Sequence, residues 1–281
     1  MSSVRRQDIL SLCNLRQDGR KQHEIRRINC NLRPLNDNSV ASSSIFQLGL
    51  TKILCTVEGP MECSRRSDEN PHRANIHVTV KSAPFSSFSR STNNSSVSNK
   101  RYLEMSQEIS QAFEAAVILD LYPRCVIHIN CHILQDDGGV LECAINAVTL
   151  ALVNAGVALK DLVCSCSVGL MISSSSHVCI IDLNKGEENE SYNGNVSKMS
   201  AALMPQRGSV VLSKLASSRL KNVKELEGMM KAASEGCKAV YDIMTQCIRD
   251  HHATMIAARM GNAQVSYNDV TKSLMVSFLL E

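Results

Sequence analysis

Apolar and polar residues alternate along several short segments of the chain, a pattern typical of strands that bury one face. The clearest case is residues 125–134, in which every odd-numbered position is apolar and His128 and His132 lie on the opposite face. Gly59 and Pro60 are expected to end an earlier β-compatible run. Strands are predicted within four further segments, residues 43–57, 75–81, 162–171 and 177–183.

Two longer segments carry apolar residues at spacings of three and four, which predicts helices with one buried face, and an apolar segment between them predicts a central helix. The first of these helices is expected to end at Pro123 and the central one at Gly156. Residues 86–99 are rich in Ser and Asn and predict a mobile loop immediately before the first helix. The predicted helices cover residues 105–121, 144–155 and 218–259.

Length and composition allow a large folded core. The chain has 281 residues, of which 44% are hydrophobic and 20% are charged, and this suits one large domain or two intimate halves. No run of eighteen apolar residues occurs and no apolar segment follows Met1, so neither a membrane span nor a secretory signal is expected. The prediction is a protein that stays inside the cell and has no membrane partner.

The twelve cysteines are scattered along the chain. Inside a cell they are expected to stay reduced and to pack in the core. Cys164 and Cys166 lack the spacing of a zinc motif. His128 and His132 would lie about 13 Å apart on a strand, at about 3.3 Å per residue, which is too far to share one ion. We therefore expect no metal site and no cofactor.

The net charge of +3 is too small to indicate nucleic-acid binding by itself. Basic residues are nevertheless concentrated near the N-terminus, since the first 27 residues hold seven basic and three acidic side chains. Two interpretations of this basic N-terminal arm stay open, a contact with phosphate groups or a solvated tail. The basic residues concerned are Arg5, Arg6, Arg16, Arg20, Lys21, Arg26 and Arg27.

The strand that covers residues 125–134 leads into a turn of acids and glycines. Asp136 and Asp137 are followed by Gly138 and Gly139, and a helix is predicted a few residues later. Backbone amides at the N-terminus of a helix favour anions such as phosphate. The sequence therefore indicates a position for an anion beside the two glycines.

Residues 134–161, which include this turn and the central helix, resemble the core of RNase PH-type ring proteins. The resemblance covers roughly residues 17–255. It is closest to the exosome ring subunit type whose archaeal version carries the phosphorolytic site. The resemblance implies an α+β RNase PH fold, with mixed β-sheets packed with helices in a ribosomal-protein-like βαβ topology, and membership of a hexameric ring. Further matching segments are residues 17–21, 24–26, 59–60, 83–86, 113–116 and 121–124.

The resemblance also implies a division of the chain. Residues 1–16 would be the basic N-terminal arm, residues 17–158 the first half of the RNase PH domain and residues 159–260 the second half. Residues 261–281 would be a C-terminal tail. Two roles stay open for this tail, an added strand or docking on a neighbour.

In active members of the family, a Ser or Thr and then an Arg follow the glycines, and these side chains hold inorganic phosphate together with the amides. Here the matching positions are Val140 and Leu141, so a hydroxyl and a guanidinium are both replaced by apolar groups. Charge-assisted bonds to phosphate are the strong ones, and their loss should weaken phosphate binding greatly. We expect Gly138 and Gly139 to keep the shape of the pocket without its ligands.

Phosphorolysis also needs an acid that protonates the departing ribose oxygen. Asp182 lies in the segment that resembles the one carrying the catalytic acids of active relatives. The second acidic position of that segment falls near Lys198, and no Asp occurs in this window. The resemblance therefore implies a site that has lost its chemistry, in which Asp182 is a structural remnant.

Two basic pairs resemble family positions along the path of the RNA, Arg65 with Arg66 and Lys100 with Arg101. A solvated pair at the start of a helix is the alternative for Lys100 and Arg101, but it would oppose the helix dipole. Such cations would hold phosphates without reading bases, which makes RNA affinity sequence-independent and salt-sensitive. The low aromatic content of 4% suits this better than base stacking.

The resemblance implies a non-catalytic structural and RNA-channel subunit of the RNA exosome, which supports 3′–5′ RNA processing and degradation, including rRNA maturation and mRNA turnover. The expected partners are single-stranded RNA, other RNase PH-like ring subunits, cap subunits and a separate hydrolytic nuclease. The expected locations are the nucleus, with the nucleolus, and the cytoplasm. Two alternatives stay open, an active phosphate-dependent 3′–5′ exoribonuclease subunit and a freestanding homohexamer that trims transfer RNA.

Overall fold

A computed structural model describes residues 15–16, 18–35, 42–63, 70–86, 96–172, 177–192, 196–216 and 222–259 of the chain. The strands are β1 (Ile28–Leu32), β2 (Ser42–Leu48), β3 (Thr51–Glu62), β4 (Asn75–Ser82), β5 (Cys125–Gln135), β6 (Cys164–Ile172), β7 (His177–Ile181), β8 (Val196–Met204) and β9 (Ser209–Leu215). The helices are α1 (Ser96–Ala116), α2 (Val140–Ala155), α3 (Lys185–Tyr192) and α4 (Val223–Arg259), with a short 3₁₀ turn at Leu119–Leu121.

Two β-sheets form the framework of the fold. The first sheet has the strand order β1-β2-β3-β5-β4 and is mixed, because β4 runs parallel to β5 whereas the other neighbours are antiparallel. The second sheet has the order β7-β6-β8-β9 and is antiparallel throughout. The predicted α+β class with sheets packed with helices is confirmed, although only the first of the two sheets is mixed.

Helix α2 contacts β2 and β3 of the first sheet as well as β6 of the second. It is buried along most of its length, from Val140 to Leu152, as expected for a helix that is apolar on all sides. Asn146 ties it to β6, since its amide donates to the carbonyl of Ser165 at 3.0 Å and accepts the Ser165 N–H at 2.8 Å. These contacts fix where the N-terminus of α2 lies.

The alternation predicted for β5 is confirmed. Ile127, Ile129 and Cys131 are fully buried, whereas His128 and His132 are half-buried on the opposite face of the strand. A strand with one core face and one partly exposed face has the period of two that was read from the sequence.

Strand β3 does not end at Gly59 and Pro60, so the prediction of a stop was wrong. The strand continues to Glu62, and its pairing with β5 shifts register between Glu58 and Met61. Proline lacks the N–H that a regular ladder needs, and such an irregularity accommodates it within a strand.

Helix α1 begins at Ser96, within the predicted loop, and ends at Ala116, well before Pro123. The chain leaves the helix because Val117 pairs with Leu159 in an isolated β-bridge. The predicted apolar face is confirmed within α1, with Met105, Ile109, Ala112, Phe113 and Ala116 buried, whereas Leu121 at the end of the predicted helix is 60% exposed.

Helix α4 begins at Val223, and residues 218–221 of the predicted helix lie outside the described residues. Its central apolar face is buried at Cys237, Val240 and Met244, whereas Leu226 is 39% exposed. The helix packs across β6, β7 and β8 of the second sheet and reaches β1 of the first. Of the helices in the described ranges, none combines the length and apolar character that a membrane crossing requires.

Several cysteines lie in the core as free thiols, as predicted. Cys131, Cys164 and Cys166 are buried, whereas Cys125 and Cys179 are half-buried. Burial raises the pKa of the Cys164 and Cys166 thiols, because a thiolate loses its hydration there. Such thiols are packing groups and poor nucleophiles at neutral pH.

Candidate functional site

Three segments that are distant in sequence meet at the N-terminus of α2. They are an N-terminal segment formed by Arg16 and residues 18–26, the end of β7, and helix α3. Backbone hydrogen bonds hold them together, since the Lys185 N–H donates to the Asp137 carbonyl and the Ile181 N–H donates to the Gln22 carbonyl, both at 3.0 Å. We call the group formed here the α2 site, and it consists of Arg26, Gly138, Gly139, Glu142, Asp182, Glu188 and Lys198.

Gly138 and Gly139 adopt left-handed backbone conformations, with φ of +85° and +68°. Gly138 also lies against the backbone, because a Cβ there would lie 2.6 Å from the nitrogen of Lys185 and 2.7 Å from the carbonyl carbon of Asn184. Its carbonyl accepts a hydrogen bond from the Thr51 hydroxyl at 2.6 Å. The turn is therefore fixed from both sides, and α2 begins directly after it, four residues earlier than predicted.

Asp182 is buried and bound by an arginine fork. It is 1% exposed, and the guanidinium of Arg26 donates to its two carboxylate oxygens at 2.9 and 2.8 Å. The Arg26 N–H adds a third bond at 2.8 Å, and Arg20 approaches at 3.2 Å. Burial by itself would lower the pKa of Arg26, but the hydrogen bond and charge of Asp182 outweigh it and raise that pKa.

The Arg26 guanidinium also donates to backbone carbonyls around the turn. One nitrogen lies 2.8 Å from the carbonyl oxygen of Asp137, and another lies 3.1 Å from that of Leu183. The same side chain thus joins the glycine turn to the end of β7. Because its donors are used inside the protein, Arg26 is a structural cation rather than the RNA or phosphate ligand that a basic arm would supply.

Arg16 also joins segments of the chain, because it contacts Glu187 of α3 and the end of β7. Its guanidinium forms a two-point ion pair with Glu187, at 2.8 and 2.5 Å, and donates to the carbonyls of Ile181 and Asp182 at 2.6 Å each. Arg16 is 3% exposed. For Arg16 and Arg26, both interpretations of the N-terminal arm are therefore wrong, since a buried, paired arginine is neither a solvated tail nor a free phosphate contact.

Val140 and Leu141 are core residues. They are 5% and 7% exposed and belong to the main hydrophobic cluster. In the first turn of α2 their side chains contribute packing, and they offer no donor to an anion. This placement agrees with the loss of phosphate ligands that the sequence indicates at these two positions.

The expectation that Gly138 and Gly139 keep the shape of an anion pocket without its ligands is wrong. The Gly139 N–H donates at 2.8 Å to the Glu188 carboxylate, and Glu188 is only 8% exposed. Lys198 lies 2.5 Å from the same carboxylate oxygen and 3.7 Å from Glu142. The Gly139 amide that could donate to a bound anion therefore donates to a carboxylate of the chain itself.

The basic residues assigned to the RNA path are only partly described. Lys100 and Arg101 are exposed, and they lie inside α1, four and five residues after its first residue, rather than before the helix. Arg65 and Arg66 lie outside the described residues. Elsewhere on α1, Glu108 pairs with Lys214 of β9 at 2.5 Å, which ties the helix to the second sheet.

Sequence reasoning missed Glu142 and misjudged Arg16 and Arg26. These residues meet their partners across long separations, 156 residues for Arg26 with Asp182 and 171 for Arg16 with Glu187. No local period marks such a pair. The available signal was the charged residue Glu142 within an otherwise apolar helix, which called for a partner in the fold.

In the α2 site, charged side chains of the chain bind one another. Its buried acids face arginine or lysine cations, and no group of three or more His, Cys, Asp or Glu side chains arranged to hold a metal occurs among the described residues. The fold and this site define an α+β protein with a helix that begins at a glycine pair beside a buried, arginine-bound aspartate.

Residues 24–158 match the family model described as 3′ exoribonuclease family, domain 1. The chain is 32% identical to exosome complex component ski6 of Schizosaccharomyces pombe over 251 residues, covering 89% of this chain and 98% of that protein. It is 31% identical to human exosome complex component RRP41, covering 87% and 94%. With Rrp41 of the archaeon Pyrococcus furiosus it shares 30% identity, covering 89% and 94%.

The crystal structure of rice Rrp46 has a similar fold, with a TM-score of 0.67 and 23% identity over 82% of this chain and 98% of that one. At this identity the likeness concerns the fold alone. The matches with the two relatives above 30% identity cover 87–89% of this chain and 94–98% of theirs. The chain therefore belongs to the RNase PH family of 3′ exoribonucleases and resembles its exosome members.

Proposed function

We propose that this chain is a non-catalytic structural and RNA-channel subunit of an exosome ring, supporting 3′–5′ RNA processing and degradation. The observation that carries the proposal is the Gly139 amide, which is bound to Glu188 while Val140 and Leu141 face the core. Phosphate has no place at this helix N-terminus, and phosphate is the attacking group in phosphorolysis.

The state of Asp182 supports the same proposal. A general acid must reach the leaving oxygen within about 2.6–3.2 Å, directly or through one water. Asp182 is 1% exposed, and both of its oxygens accept bonds from Arg26. Proton donation would require this carboxylate to leave a buried ion pair, so its role here is to hold the turn in place.

The names of the relatives support the ring assignment. Proteins from a yeast, a human and an archaeon that match along most of this chain are each named exosome complex components. The partners proposed on this basis are other RNase PH-like ring subunits, cap subunits, single-stranded RNA and a separate hydrolytic nuclease. The proposed locations are the nucleus, including the nucleolus, and the cytoplasm.

A phosphorolysis assay tests the proposal directly. The chain is purified with its ring partner, without a hydrolytic nuclease, and mixed with single-stranded RNA and inorganic phosphate. We expect no phosphate-dependent release of nucleoside diphosphates, since the ligands for phosphate are replaced. Chromatography of the nucleotides over a range of phosphate concentrations provides the measurement.

A second candidate function is the active phosphorolytic subunit, which the retained Asp182 and glycine pair favour. Diphosphate release that rises with phosphate, and that disappears in a chain carrying Gly139→Val, would establish it and contradict the non-catalytic proposal. Release that persists in this variant would belong to the partner chain. A freestanding homohexamer is tested separately by sizing the chain alone.

Charge reversal on α1 tests the RNA-channel role. In the assembled ring, Lys100→Glu with Arg101→Glu should weaken binding of single-stranded RNA and flatten its salt dependence. Each lost phosphate contact reduces the slope of log K against log salt by about 0.7, so two contacts give a change of about 1.4. Fluorescence anisotropy at several salt concentrations measures the slope.

The matched control is Lys231→Glu with Lys238→Glu, which reverses two exposed charges on α4 and changes the net charge equally. This control should leave the slope close to that of the unmodified ring. Equal slopes for the α1 variant and the unmodified ring, with assembly intact, would remove Lys100 and Arg101 from the RNA path.

A further inference from the structure

Glu188 occupies the position of a bound anion at the start of α2. The Gly139 N–H points into its carboxylate at 2.8 Å, and this amide precedes the first turn of the helix. The preceding acid, Glu187, turns the other way and pairs with Arg16. Two adjacent carboxylates of α3 therefore have separate partners, and one of them is directed to the helix N-terminus, where negative charge is stabilised.

Lys198 completes the binding of Glu188. It lies on β8 with its side chain 19% exposed, and its ammonium group is 2.5 Å from the Glu188 carboxylate. A backbone amide and a cation at one oxygen are the partners that a phosphate oxygen would have at such a position. Here the Gly139 amide and the Lys198 ammonium group both bind a carboxylate of the same chain.

Glu142 adds a further negative charge. It is fully buried in the first turn of α2, and neither of its carboxylate oxygens has a hydrogen-bond partner among the described residues. Among the described residues, Lys198 is the cation that forms an ion pair with it, at 3.7 Å. Glu142 and Glu188 thus share one ammonium group, and an anion that approached this position would meet an excess of negative charge.

We propose that Glu188 is an internal ligand that occupies the anion site of α2 and, together with Glu142, closes it to phosphate. Phosphate binding is then blocked for a reason additional to the apolar residues Val140 and Leu141. Because this role of Glu188 rests on the proposed non-catalytic function, the two are tested by different measurements. Removal of the internal carboxylate should create an anion site, whereas the phosphorolysis assay on the unmodified ring decides the function.

Thermal unfolding of the full chain in inorganic phosphate, against potassium chloride of equal ionic strength, tests for that site. The unmodified chain should show no phosphate-specific shift. Glu188→Ala should gain a small shift, and Glu188→Ala with Glu142→Gln a larger one, because the net charge near Lys198 becomes positive. At phosphate about five times the dissociation constant, mass action gives a rise in Tm of roughly 2–4 °C.

The control is Glu227→Ala, which removes an exposed carboxylate of α4 and should behave like the unmodified chain. Equal phosphate shifts in the unmodified chain and both Glu188 variants would overturn the proposal. A measurement on the unmodified chain keeps it testable if the variants fail to fold. With glycine amides labelled by ¹⁵N, the Gly139 signal should stay fixed as phosphate is added, and a saturable shift of that signal would overturn the proposal.

Discussion

Replacement of Asp182 with asparagine is expected to lower the free energy of unfolding by about 3–5 kcal/mol, the cost of removing one partner from a buried ion pair. Asparagine keeps the size of the side chain and tolerates the left-handed backbone, which has φ of +58° at this position. The main change is therefore the lost charge opposite Arg26, which stays buried. Urea unfolding of the full chain, followed by circular dichroism, measures the difference.

Asp18→Asn provides the matched control. Asp18 pairs with Arg20 at 2.6 Å, but its side chain is 34% exposed, so its loss should cost only about 0–1 kcal/mol. A similarly small cost for Asp182→Asn would contradict the structural role of Asp182. Such a result would return its carboxylate to the set of groups available for catalysis.

The parts of the fold that were predicted well are those with a local period. In β5 the alternation identified the buried face, and in α1 the spacing of three and four identified Ile109 and Phe113 as core residues. Gly156 was predicted to end α2, and it does so with φ of +76°. Each of these features depends on residues within a few positions of one another, which a single sequence displays directly.

Element ends and long-range pairs were predicted less well. Helix α1 ends at Ala116, where Val117 pairs with Leu159. These two residues are far apart in the sequence, and no residue near Val117 indicates the contact. In the same way, Gly139 and Glu188 are 49 residues apart. Lys198 lies on β8 of the second sheet, whereas Gly139 follows β5 of the first sheet. The sequence indicated an anion at the glycine turn, but only the fold identifies that anion as a side chain of the same protein.

The α2 site links the two predicted halves of the domain. Arg26 and Gly139 lie in residues 17–158, whereas their partners Asp182 and Glu188 lie in residues 159–260. In the proposed non-catalytic subunit, these charged contacts stabilise the arrangement of the halves in place of a bound ion. In that proposed subunit, stability gives the acid, the arginine and the glycine turn a physical role that requires no catalysis.

Gly138→Ala is expected to lower the free energy of unfolding by about 2–4 kcal/mol, from about 1 kcal/mol of backbone strain and about 1–3 kcal/mol of overpacking. At φ of +85° an added Cβ would lie 2.6 Å from the Lys185 nitrogen and 2.7 Å from the Asn184 carbonyl carbon. These are backbone atoms, which move only if the start of α3 moves. The same urea titration measures the loss.

Gly156→Ala separates strain from crowding. Gly156 has a similar φ of +76°, but an added Cβ there would meet nothing within 4 Å, so only the strain of about 1 kcal/mol should appear. The difference between the two variants therefore reports the close approach of α3 to the glycine turn. Equal losses would show that α3 yields at little cost. The turn would then not be held from both sides, and the contact between Gly139 and Glu188 would lose its fixed geometry.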